Sequence, residues 1–146
     1  MGNFSRQLAD VFFESAGKKP SAPALFYCDK ETNEWREISW GEYEKTVRKV
    51  AGWLEAQGIC KGDRIALFSA NRPEWLITDL AILAIGAVSV PIYATSTVHD
   101  VTYILGHAET KAVFVDDMTR VKAVNNLPTL MVCFDKGKTN ATSFED

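Results

Sequence analysis

The sequence predicts an α/β fold, a mainly parallel sheet with flanking helices, preceded by an amphipathic helix and a β-hairpin. Three observations lead there. Between Arg64 and Ser96 an apolar run (Ile65 to Phe68), a helix opening (Arg72-Pro73-Glu74) and a second apolar run (Val88 to Ile92) follow one another. Strand, helix, strand is a crossover unit, and crossovers join parallel strands with a right-handed connection. The alternation continues through Ala112 to Val115 and Leu130 to Phe134. Lastly, 146 residues with 47% hydrophobic and 24% charged side chains suit one soluble domain able to bury a core.

Taken in order, Phe4, Leu8, Val11, Phe12 and Ser15 recur at helical spacing, and Gly17 with Pro20 ends that run. Ala24 to Cys28 and Glu34 to Ser39 read as two strands around the polar loop Asp29 to Asn33. Ser39 and Glu42 stand at capping-box spacing, and Tyr43, Val47, Val50, Ala51 and Leu54 mark one face of the next helix, with Gly58 closing it. Pro73 suits the first turn of the helix after that, where no backbone donor is needed, and Gly86 stops it after Ile85. That helix is apolar over most of its circumference from Trp75 to Ile85 and is expected to be buried, with Asp79 facing its polar side or capping a neighbouring turn. Pro91 marks its strand as an edge or a strand end. Thr97 and Asp100 repeat the capping box, Val101, Ile104, Leu105 and Ala108 form the apolar face behind it, and Asp116-Asp117 with Thr119 opens a short helical segment. Residues 135–146 carry no helical or strand period and read as loop.

The net charge of -3 provides no general attraction for nucleic acid. No basic region followed by an apolar core opens the chain, and the longest apolar stretch, around Leu80 to Val90, falls short of the roughly 20 residues a bilayer requires. A soluble, cytoplasmic protein with at most peripheral membrane contact is expected. Cys28, Cys60 and Cys133 lack CxxC spacing and flanking histidine ligands, and are expected as buried or half-buried thiols of a reducing compartment.

No GxGxxG, GxxxxGK[ST] or GxSxG motif is present, so the strand–helix alternation lacks the glycine cradle that phosphate binding requires. His99 and His107 do not have the helical spacing of a metal-ligand pair, and Asp116-Asp117 is read as a capping pair at a strand end. Thr95-Ser96-Thr97 is a hydroxyl-rich turn after a strand, a weak anion-binding pattern and otherwise a helix cap.

Several segments in order carry a resemblance: Ile38-Ser39-Trp40-Gly41-Glu42-Tyr43, Lys61-Gly62-Asp63-Arg64-Ile65-Ala66, Asn71-Arg72-Pro73-Glu74-Trp75, Gly86 through Ser96, and Tyr103-Ile104-Leu105. From about Leu8 to Phe134 the chain resembles the amino-terminal region of adenylate-forming acyl-CoA synthetases, most of all the long-chain fatty acid branch. The resemblance implies that residues 1–146 form an incomplete subdomain of a larger domain, part of a doubly wound sheet. A complete enzyme of this kind uses ATP, Mg2+ and coenzyme A to convert a fatty acid to an acyl-adenylate and then a thioester. The family's phosphate loop and catalytic lysine have no counterpart here. The chain alone is therefore expected to be inactive, to hold no cofactor, and to partner the rest of a synthetase or a second copy of itself. The resemblance further places Ala94, Thr95 and Ser96 beside the passage for the pantetheine arm and Arg120 near the nucleotide of coenzyme A. A non-catalytic module binding coenzyme A or an acyl chain, or serving oligomerisation, is the competing expectation.

Overall fold

The computed structural model describes residues 7–29, 32–135 and 142–143. Helix α1 (Leu8–Lys18) leads to the antiparallel pair β1 (Pro23–Cys28) and β2 (Trp35–Ser39), a separate two-stranded sheet. Helix α2 (Trp40–Ala56), β3 (Arg64–Phe68), α3 (Pro73–Ala84), β4 (Val88–Ile92), α4 (Val98–Ala108) and β5 (Ala112–Val115) come next. A 3-10 turn at Met118–Val121 then leads to β6 (Leu130–Cys133) and the two-residue β7 (Thr142–Ser143). All ladders of the main sheet are parallel, and its order is β4-β3-β5-β6-β7.

Strand period dictates two cores. Ile65, Leu67, Ala112, Phe114 and Val132 point to one face of the sheet, where α1, α2 and α3 cover them. Ala66, Phe68, Val113, Val115 and Cys133 point to the other, under α4 and the 3-10 turn. With helices on both faces, strands β3 and β5 are buried nearly throughout and read as continuous apolar runs. β4 is the edge, consistent with Pro91 lacking a ladder donor.

Both expected capping boxes form. Ser39 Oγ accepts from Glu42 N at 3.3 Å while Glu42 Oε2 accepts from Ser39 N at 2.9 Å, and Thr97 with Asp100 repeats the exchange at 3.2 and 3.3 Å. Gly86, at φ +73°, takes the left-handed conformation that turns α3 into β4.

Four expectations are corrected. In α1 the buried stripe is Ala9, Phe12 and Ala16, whereas Leu8 and Val11 are exposed; Phe4 lies outside the described residues. The Phe12 ring, 4.8 Å from Tyr43, sets the rotation of the helix, and the small alanines allow close approach to α2 and α3. Helix α3 is buried on one side only, through Ile77, Thr78, Ala81 and Ile82; Leu76 is 41% exposed, because α1, α2 and the sheet all lie on the same side. Cys28 and Cys60 are exposed and only Cys133 is buried: Cys28 shares the outer hairpin face with Phe26, and Cys60 occupies the turn before β3. Within the expected carboxy-terminal loop, β7 pairs with β6, a contact too short to leave a side-chain period in the sequence.

Asp79 lies half-buried near Tyr43, and burial together with that carboxylate pushes the phenol up to about 12. No helix among the described residues is long and apolar enough to cross a membrane.

Candidate functional site

The carboxyl ends of β3 and β4 open into a groove of about 720 Å³. One lip is Ser69-Ala70-Asn71, the segment by which β3 leaves the sheet, with Trp75 on the first turn of α3 behind it. The other is Pro91 to Thr95, where β4 ends and the chain turns back, Ser96 N donating to Tyr93 O at 2.9 Å. Tyr93 is 85% exposed. Apart from this phenol the lining carries no acidic or basic side chain. The Thr95 hydroxyl and the Asn71 amide supply hydrogen-bonding groups between apolar walls from Trp75, Pro91 and Ile92, and the Ser69 hydroxyl is engaged by the Ala70 carbonyl at 2.9 Å.

In an open α/β sheet the usual ligand crevice lies where the crossovers diverge. Here that point is between β3 and β5, since β4 lies on one side of β3 and β5 on the other. Asp116, at the end of β5 and 8% exposed, occupies this point. Its Oδ2 accepts from Ala70 N at 3.1 Å and its Oδ1 from Asp117 N at 2.9 Å, and Arg120 Nε lies 3.0 Å from Oδ1. Arg120 Nη1 continues to the Ala94 carbonyl at 2.6 Å, with the guanidinium 5.6 Å from the centre of the Phe68 ring. Asp117 caps the 3-10 turn by accepting from Thr119 N at 2.8 Å, and this bond leads the effects that hold its carboxyl below the usual range.

A second groove, about 630 Å³, runs between the hairpin and the Asn71 to Glu74 turn, with Phe26, Trp35 and Leu76 exposed along it. Arg72 closes its floor, with Nε 2.8 Å from Glu74 Oε2 and Nη1 2.6 Å from Asp135 Oδ1. Burial opposes the charge on Arg72, but hydrogen bonds to both carboxylates outweigh it and raise the pKa above its ordinary value.

Among the residues singled out from sequence, Ala94 and Thr95 line the first groove and Ser96 closes the turn beside it. Arg120 meets this lip through Ala94. His99 and His107 are exposed on α4, the latter stacked on Tyr103 at 5.4 Å. No group of three potential metal ligands occurs among the described residues. Sequence reasoning missed the bridging role of Asp116. Its only trace there is the Asp-to-Arg i,i+4 spacing at a strand end, which resembles an ordinary surface pair.

Residues 12–145 match the family model described as AMP-binding enzyme. The long-chain-fatty-acid–CoA ligase FadD15 of Mycobacterium bovis is 39% identical over 93 residues, 64% of this chain and 16% of the ligase. The chain thus spans about one sixth of that enzyme. Uncharacterized protein Rv1549 of Mycobacterium tuberculosis is 30% identical over 130 residues, covering 88% of this chain and 72% of its own length. Among solved structures, the anthranilate CoA ligase AuaEII in complex with anthranoyl-AMP superposes with a TM-score of 0.87 at 18% identity, over 99% of this chain and 28% of that one. That likeness shows the fold.

Proposed function

Because this chain belongs to the AMP-binding enzyme family, we propose that it forms the amino-terminal part of an acyl-CoA ligase of the long-chain fatty acid branch. The likeness to FadD15 supports the branch. One observation carries the role of the part itself: a groove without acids or cations, edged by Ala94 and Thr95, at the carboxyl ends of β3 and β4. Its hydroxyls, amide and apolar walls match the pantetheine arm of coenzyme A, a neutral chain with two amides. They do not match a nucleoside triphosphate with Mg2+, which requires cations or a glycine cradle for its phosphates and oxygen ligands for the metal. ATP and Mg2+ therefore belong to residues of a complete ligase outside this chain, and both half-reactions require those residues. Cytoplasmic residence is part of the same proposal, since exposed free thiols at Cys28 and Cys60 suit a reducing compartment.

The test has two arms. With ATP, Mg2+ and a fatty acid, the 146-residue chain is expected to release no pyrophosphate. With pantetheine, amide resonances of Asn71, Ala94 and Thr95 are expected to shift in nitrogen-edited NMR spectra. Shifts confined to other regions, or none at millimolar pantetheine, refute the assignment of the groove.

Rv1549, of which this chain covers 72%, favours a second reading, a free-standing module that binds coenzyme A or acyl-CoA without catalysis. Micromolar affinity for acyl-CoA in calorimetry supports the module. Weak binding that tightens when the remainder of a ligase is added supports the partial enzyme.

A further inference from the structure

We propose that Asp116 and Arg120 are positioning residues that fix the distance between the two lips of the first groove. The inference rests on the reading of that groove as the edge that receives pantetheine.

The lips come from separate strands, and the sheet ladder stops short of both. The last paired residues of β3 and β4 are Phe68 and Ile92, and the lips extend past them, through Ser69 to Asn71 and Tyr93 to Thr95. β4, being the edge strand, has a ladder partner on one side only. Two long-range bonds restore the missing order. Asp116 Oδ2 takes the Ala70 N–H on one lip, across 46 residues of sequence, and Arg120 Nη1 reaches the Ala94 carbonyl on the other, across 26. Arg120 Nε and Asp116 Oδ1, 3.0 Å apart, join the two bonds into one brace, and the Phe68 ring lies against the guanidinium.

The planar fork of arginine suits this arrangement, because two separate nitrogens of one guanidinium serve Asp116 and Ala94 together, whereas a lysine carries all its donors on one nitrogen that would have to lie within reach of both acceptors at once. Asp116 accepts the Ala70 N–H on Oδ2 and the Asp117 N–H on Oδ1, and the Arg120 Nε contact at Oδ1 completes the set that holds the carboxylate against the Ala70 lip. Arg120 thereby acts on the ligand through Ala94 and not by touching a phosphate.

Arg120→Gln and Arg120→Lys, made in the whole chain, test the brace by two readouts. The first is hydrogen exchange of the Ala70 and Ser96 amides, with Val113 in the central strand as the control for intact folding. Both lip amides are expected to exchange about tenfold faster in either variant, the scale of one charge-assisted hydrogen bond, while Val113 is unchanged. The second compares pantetheine, which lacks the nucleotide, with coenzyme A. A positioning role weakens both by the same factor, and lysine does not rescue it. Loss confined to coenzyme A, or rescue by lysine, overturns the proposal in favour of a direct phosphate contact, and unchanged lip exchange overturns it outright. Should neither ligand bind the wild-type chain, the pantetheine reading fails while the exchange arm still decides the brace. If Arg120→Gln does not fold, Arg120→Lys carries both readouts.

Discussion

Phe114 is the largest fully buried side chain, 1% exposed, at the middle of β5 and beneath α2. Its ring meets Trp53 edge-on at 6.4 Å and Phe134 at 5.8 Å. Replacing it with alanine removes the ring and leaves a void between the parallel sheet and a helix that cannot both close on it, at a cost of about 3 to 5 kcal/mol. Leucine keeps most of the volume and forfeits mainly the two ring pairs, about 0.5 to 1.5 kcal/mol each. A domain of this size has on the order of 5 to 15 kcal/mol of stability in total. With a urea dependence of about 2 kcal/mol per molar, Phe114→Ala is expected to lower the urea midpoint by about 2 M and Phe114→Leu by less, about 0.5 to 1.5 M. Circular dichroism at equilibrium measures both. A midpoint lowered by less than about 0.5 M in Phe114→Ala, or equal losses in the two variants, refutes the placement of Phe114 at the centre of the α1–α2–α3 core.

Two further outcomes rest on local geometry. Ser39→Ala removes the acceptor for Glu42 N and one of the donors to its carboxylate, and is expected to cost about 1 kcal/mol, some 2 to 4 °C in Tm; an unchanged melting curve speaks against the cap. Asp63 is held below the usual carboxylate range first by its hydrogen bond with Lys111 and then by the Cys60 N–H. A carboxylate whose folded pKa is depressed stabilises the fold above its unfolded value, near 4, and that contribution disappears as pH falls through the folded value. Asp63→Asn is therefore expected to be less stable at pH 7 but to lose less stability on acidification, and a parallel pH profile in urea titrations rejects the linkage.

The segments read most clearly from sequence are those in which local chemistry and tertiary packing agree. Ser39/Glu42 and Thr97/Asp100 cap helices within their own segments, so spacing suffices, and Pro91 excludes itself from any central strand. Strand order is different. Whether the chain leaving β4 returns past β3, to place β5 on the far side of it, depends on which face each helix covers, which no single strand records. The exposed side of α3 illustrates the same limit, because an apolar circumference does not say how many sides have neighbours. At the candidate site, Ala94 and Thr95, singled out through resemblance, line the groove, whereas the hold of the brace on Ala70 has no trace in the sequence, since Asp116 and Ala70 are joined by a backbone donor that has no sequence signature.

The two cores differ in their aromatic content, and that difference has an optical consequence. Trp40, Trp53 and Trp75 all pack into the layer under α1, α2 and α3, together with Phe12, Tyr43, Phe114 and Phe134. The layer under α4 contains no tryptophan, and Phe68 is its one aromatic ring among the described residues. The remaining indole, Trp35, stands 76% exposed on the hairpin and emits as a solvated fluorophore. Tryptophan emission from this protein is thus a one-sided gauge, reporting the melting of one layer and silent on the other. Comparing it with a backbone signal that samples both layers shows directly whether the sheet holds its two faces in a single cooperative transition.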